Sequence, residues 1–164
     1  MSSGTSNLRD VESYDDFYKT DEDPQMVSQP RRLDDITGVR SYIDAIDFGP
    51  LKDKLESEYG WSRDRLEFAE RLYKNWLFLR RKHEGEPLPP SRDIDEFWHW
   101  HILDTRAYHR DTATIFGYYL HHFPYFGLRG KGDYDNLMRA WDNTQSRYLQ
   151  EFGEEIYEYG DEDE

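Results

Sequence analysis

Leu66, Ala69, Leu72, Tyr73, Trp76 and Leu79 fall on one stripe of a 3.6-residue helix, while Arg63, Asp64, Glu67, Glu70, Lys74 and Arg81 lie away from it. A stripe of that length must be covered by other apolar faces, which narrows what the rest of the chain can be. From Asp34 onward the apolar spacing is helical wherever it can be judged, and only the brief Val39 to Phe48 region has room for a strand-like alternation. The expected fold is therefore all-α: a compact bundle of about five to six helices with an aromatic-rich core.

The punctuation supports this order. Pro50 suits the first turn of a short helix running to about Tyr59, and Ser62 after Gly60-Trp61 is an N-cap for the long helix that follows. Gly85 to Pro90 stops that helix, and Ser91 starts another. A bend is expected near Leu103, because Asp104-Thr105 reads as a cap and a new first turn; Tyr108, Thr112, Ile115, Tyr119 and His122 then share one face. Pro124, Gly127, Gly130 and Gly132 mark a loop, and Tyr134, Leu137, Met138, Trp141, Tyr148 and Phe152 stripe a last long helix.

Composition fixes what surrounds this domain. Within 164 residues the net charge is −14, but residues 1–32 hold seven acids and four bases, and residues 151–164 hold eight acids and no base. We therefore divide the chain into a polar, acidic N-terminal arm (1–32), a helical domain (33–155) and an acidic tail (156–164). With no basic stripe, nucleic acid and anionic membrane are excluded as partners. A protein partner would meet the acidic termini, or the arm through Tyr14, Phe17 and Tyr18. The first residues lack the apolar stretch of a signal peptide and no run of apolar residues is long enough to span a bilayer, so a cytoplasmic location is expected.

The absence of cysteine removes disulfides, thiolate metal sites and thiol nucleophiles together. A metal would need His, Asp, Glu or Tyr. Five of the six histidines lie between His99 and His122, and this clustering separates the chain from a generic helical domain. At about 100° per residue, Ile94, Phe97, Trp98, His101 and Ile102 span one apolar arc, whereas Asp95 and His99 sit together at its edge. His99 and His101 are then roughly 160° apart, too far to grip one small ion unless the helix is already unwinding before Asp104. Glu96-x-x-His99 matches half of a di-iron bundle pattern, but there is no second copy. No P-loop, dinucleotide fingerprint, nucleophile elbow or His-Glu-x-x-His is present, so no nucleotide cofactor is expected.

Asp95-x-x-Trp98-His99-x-His101-x-Leu103, then Tyr108, Gly117 and Leu120-His121-His122, resembles the glycine-rich domain-containing protein-like family, in its bacterial form, over about residues 60–160. The resemblance implies roles for Asp95, Trp98, His99, His101, Tyr108 and His122, and for a later pair matching Thr144 and Tyr148. It implies no particular activity. The chain departs from the family name, having eleven glycines and no glycine-rich appendage, and Thr112 stands where bacterial relatives often have cysteine.

Two readings of these residues stand side by side. In the first, His99, His101 and His122 ligate a metal, zinc or iron, with Asp95 as a fourth ligand or as the acceptor orienting His99, and Tyr108 offers a proton or a hydrogen bond nearby. His121 replaces His122 if the helical phase is off by one residue. Trp98, Tyr108, His121, Asp111, Thr144 and Tyr148 would surround the ligands. In the second, His101 is a core histidine satisfied by a backbone carbonyl or by Tyr108, Asp95 and His99 are a surface pair, and the protein is a non-catalytic interaction module.

Overall fold

A computed structural model describes residues 31–160. The arm up to residue 30, with Tyr14, Phe17 and Tyr18, and residues 161–164 lie outside the described residues. Among those described the architecture is all-α, with six helices and no strand: α1 (Ile36–Ala45), α2 (Gly49–Tyr59), α3 (Arg63–Lys82), α4 (Arg92–Leu103), α5 (Thr105–Ile115) and α6 (Lys131–Phe152). None of these helices is long and apolar enough to cross a membrane.

The helix starts follow local chemistry. Asp35 accepts a hydrogen bond from the Thr37 amide, Ser62 from Arg65 and Ser91 from Ile94, so three N-termini have a side-chain cap. Pro50 occupies the first turn of α2, as its fixed φ favours. The Val39 to Phe48 region, open to a strand-like reading, is mostly α1, where Val39 and Ile43 at i,i+4 are both fully buried.

Helix α3 is the axis of the bundle, packing against α1, α2, α4 and α6. Its stripe from Leu66 to Leu79 is buried, and Phe68, Leu77 and Phe78 widen it well beyond one face. Arg81, which helical spacing places away from the stripe, is buried as well. Its guanidinium donates to the carbonyl of Ile115, an acceptor at the end of α5 that helix geometry leaves free, and to the carbonyl of Leu33 in the segment before α1.

The expected bend lies between Leu103 and Thr105. Asp104 leaves helical geometry at ψ 74°, and α5 turns back along α4. The fold differs from expectation at the far end of α5, which stops at Ile115 instead of continuing to His122. Gly117 causes the stop: at φ 80° its backbone is left-handed, and its amide donates back to Ala113. A Cβ there would sit 2.9 Å from the Arg32 side chain, which itself holds the Phe116 carbonyl. His121 and His122 therefore belong to an irregular segment that leads to α6, and they reach the α4 surface as a loop.

Candidate metal centre

Two polar groups grow from opposite sides of α4, as the angle between His99 and His101 requires. The inner one is sealed. His101 is 2% exposed; Asp111 on α5 accepts from its Nε2–H at 2.8 Å, which leaves Nδ1 to accept from the Tyr73 hydroxyl at 2.7 Å. Tyr42 on α1 donates to the other Asp111 oxygen at 2.7 Å. Phe48 and Tyr108 present ring edges to the imidazole. The Tyr73–His101–Asp111–Tyr42 chain thus ties α3, α4, α5 and α1 together with every ring nitrogen occupied. Burial pushes the Tyr73 hydroxyl well above its ordinary pKa, and burial together with the Asp111 carboxylate raises Tyr42 to about 12.

The outer group is open. Asp95 and His99 stand one turn apart on α4, and His122 arrives from the loop after α5. His122 Nε2 lies 2.7 Å from Asp95 Oδ1 and 2.9 Å from His99 Nε2, while His99 Nε2 is 3.3 Å from Asp95 Oδ2. The donor atoms of Asp95, His99 and His122 all fall within 4.8 Å of one another, and this group can hold a metal ion. The side chains of His99 and Asp95 are 42% and 35% exposed against 15% for His122, so solvent reaches the group from one side. Two imidazole nitrogens and a carboxylate facing one another are a donor set of the kind that suits a divalent cation.

Trp98 supports this outer group. Its ring stacks on His122 with centroids 4.2 Å apart, and its other neighbour is Trp76 at 4.7 Å. The indole Nε1 donates to the Tyr108 hydroxyl at 2.9 Å, and that hydroxyl donates to the Leu120 carbonyl. The Trp98–Tyr108–Leu120 link fixes where the loop leaves α5 and so aims His122. Glu96 comes no nearer than 3.9 Å to His99 Nδ1.

Of the residues expected to share one site, the structure brings together Asp95, His99 and His122, with Trp98 and Tyr108 behind them. His101 does not join: both its nitrogens are engaged on the other side of α4, with Asp111. Tyr108 does not present a free proton, because its hydroxyl is buried between Trp98 and Leu120 and its pKa is pushed well up by that burial. His121 is exposed and lies against Tyr119, so His122 is the member of the pair that faces α4. Thr144 donates to the Pro89 carbonyl at 2.9 Å and Tyr148 accepts from Asn75, contacts that pack α6 on α3 and on the proline-rich connection. Sequence reasoning did not single out Tyr42 or Tyr73 as partners of His101. Tyr73 was visible only as a member of the apolar stripe, where its hydroxyl gave no signal.

Comparisons with curated proteins and with solved structures return no match. A family model described as UCP032817-like matches residues 39–155, a span from α1 through the end of α6 that contains Asp95, His99 and His122. The chain accordingly belongs to the UCP032817-like family.

Proposed function

We propose that this protein is a metal-binding helical domain in which Asp95, His99 and His122 hold one divalent ion, zinc or iron, with its remaining coordination positions open to solvent. The observation that carries the reading is the convergence of two imidazole nitrogens and a carboxylate at 2.7, 2.9 and 3.3 Å across two separate segments. Donors around a tetrahedral ion with bonds of about 2.0–2.1 Å stand roughly 3.3 Å apart, so small side-chain movements suffice to admit one. Nitrogen and oxygen donors in a two-histidine, one-carboxylate set suit zinc and iron alike. Three protein ligands rather than four is the pattern of a reactive centre. A bound ion there supplies Lewis acidity to a water or a ligand atom. We also propose kinship with the glycine-rich domain-containing protein-like family, on the order of the Asp95, Trp98, His99, His101, Tyr108 and His122 motif.

A second reading, an interaction module, is favoured by the loop between α5 and α6, where Tyr118, Phe123, Tyr125 and Leu128 are each about half exposed or more. There the partner would meet this loop, the acidic termini or the N-terminal arm. Elemental analysis of protein purified without chelators separates the two. The metal reading expects near-stoichiometric zinc or iron in wild type, a loss of at least tenfold in Asp95→Ala, His99→Ala and His122→Ala, and full occupancy in His83→Ala and in His101→Ala. Absence of metal from wild type, before and after reconstitution, would leave the interaction reading.

A further inference from the structure

The loop between α5 and α6 holds its rings outward in a fixed shape. Asp133, in the first turn of α6, accepts from the Gly127 amide at 2.8 Å, from the Arg129 amide at 3.2 Å and from the Arg129 guanidinium at 2.9 Å. That guanidinium lies 4.9 Å over the Phe123 ring, and Phe123 packs edge-on against Tyr125 at 5.6 Å. At the other end of the loop the Tyr118 hydroxyl donates to Glu84 at 3.2 Å. Although both ends are tied, Tyr118, Phe123, Tyr125 and Leu128 remain about half exposed or more. An ordered loop that shows this many large apolar side chains marks a surface that another segment covers.

The chain brings a segment of its own to this surface. The described residues begin at Arg31, and the next two are fastened beside the start of the loop: the Leu33 amide donates to the Thr114 carbonyl at 2.9 Å, and Arg32 donates to the Phe116 carbonyl at 3.0 Å. Arg32 also pairs at 2.9 Å with Glu84, the carboxylate that receives Tyr118. The arm therefore leaves the domain one side chain away from the first exposed ring. From Arg32 back to Tyr18 the chain extends to about 45 Å at full stretch and roughly 20 Å on average if flexible, whereas the loop from Tyr118 to Leu128 spans at most about 35 Å. A tether this short gives an effective concentration on the order of millimolar, enough to fill a weak site.

The two segments also match in chemistry. Between Asp10 and Asp23 the arm holds Tyr14, Phe17 and Tyr18 among seven acids and one base. The loop is the complement, because from Thr112 to Gly132 there is no acid in a chain of net charge −14, and Lys131 is exposed with no carboxylate partner among the described residues. The basic run on α3 is largely taken: Arg71, Lys74 and Lys82 hold Glu154, Glu70 and Glu151, and Arg81 holds two carbonyls.

We infer that the acidic, aromatic segment of the arm, residues 14–18, docks on the α5–α6 loop of its own chain, with its rings against Tyr118, Phe123, Tyr125 and Leu128 and its carboxylates toward Lys131. Ring-on-ring contact supplies the attraction, and the opposite charges choose this segment over the rest of the arm. The inference does not rest on the metal reading. It gives the exposed loop an occupant from within the chain, where the interaction reading gave it an outside partner.

The chain has no cysteine, so one introduced thiol accepts a nitroxide label at a single place. Full-length Ser13→Cys, labelled beside Tyr14, is compared by amide NMR with the same chain carrying Tyr14→Ser, Phe17→Ser and Tyr18→Ser. The expected result is paramagnetic broadening of the amides from Tyr118 to Leu128 that is about threefold or more greater with the rings than without them, the tether being the same in both. Tyr125→Ser and Lys131→Glu, changes at exposed positions that leave the fold intact, should each lower the broadening toward the ring-free level. Equal broadening with and without the rings of the arm, or broadening centred on α2 or α3 instead of the loop, would overturn the inference. Broadening of the same size in unlabelled chains mixed with labelled ones would make the occupant the arm of a second copy, and would overturn docking within one chain. Thr20→Cys, labelled on the far side of the rings, repeats the measurement in case the first label disturbs Tyr14: absence of contact from both labels overturns the inference.

Discussion

His99 and His101 are two positions apart on α4, and that spacing sends them to opposite fates. His99 reaches solvent beside Asp95 and His122, whereas His101 is locked between Tyr73 and Asp111. The angle between them was legible in the sequence, although the metal reading still grouped both histidines as ligands. What could not be read was the identity of the inner partners, because Asp111 arrives only after the chain has turned at Asp104 and Tyr42 comes from another helix. His101→Ala should accordingly cost about 2–4 kcal/mol, since it opens a cavity and leaves Asp111 and Tyr73 short of a partner. The check is thermal unfolding by circular dichroism, with metal content unaltered.

Tyr42 gives the same chain a pH signature. Its folded pKa of about 12 lies above the ordinary value of 10.0, so the native state retains a proton that the unfolded chain releases. The stability it contributes is fully present below pH 10 and is lost as pH rises from there toward 12. Tyr42→Phe should flatten the fall in stability across that window, measured by urea unfolding at pH 9 and pH 11. The remaining slope would come from the other raised tyrosines, Tyr73, Tyr108, Tyr118 and Tyr148.

At the scale of elements, starts were easier to read than stops. Ser62 and Ser91 are short polar side chains ahead of apolar-periodic runs, and each caps its helix as that pattern implies. The end of α5 was misread because Tyr119 and His122 continue the helical phase of Thr112 and Ile115, and periodicity does not register a single residue forced into left-handed geometry. Gly117 is that residue, and its Cα lies too close to Arg32 for a side chain. Gly117→Ala combines the backbone penalty of positive φ with a 2.9 Å clash, and should destabilise by roughly 1–3 kcal/mol. Because the loop that delivers His122 begins there, the same variant should also bind metal more weakly. Denaturant melts and a competition titration against a chromophoric chelator test the two effects separately.

For the whole molecule, the all-α class followed from helical apolar spacing along the chain, whereas the central position of α3 did not, because Phe68, Leu77 and Phe78, which widen its buried surface, lie off the stripe that spacing picks out. The candidate centre was half legible for a related reason. Asp95 and His99 are neighbours within one helix, which spacing reveals, but His122 reaches them across 27 residues through a break, a turn and a loop, none of which has a periodicity. The ring series from Trp76 through Trp98 to His122 has one more consequence, which concerns light. An indole stacked 4.2 Å from the His122 imidazole would lie within reach of electronic quenching by an open-shell ion held there, which would make Trp98 a built-in lamp for occupancy of the proposed site. Adding cobalt or ferrous iron should dim the emission of wild type, zinc should leave it bright, and His122→Ala should make it indifferent to all three, so a fluorimeter alone can follow the filling of the site.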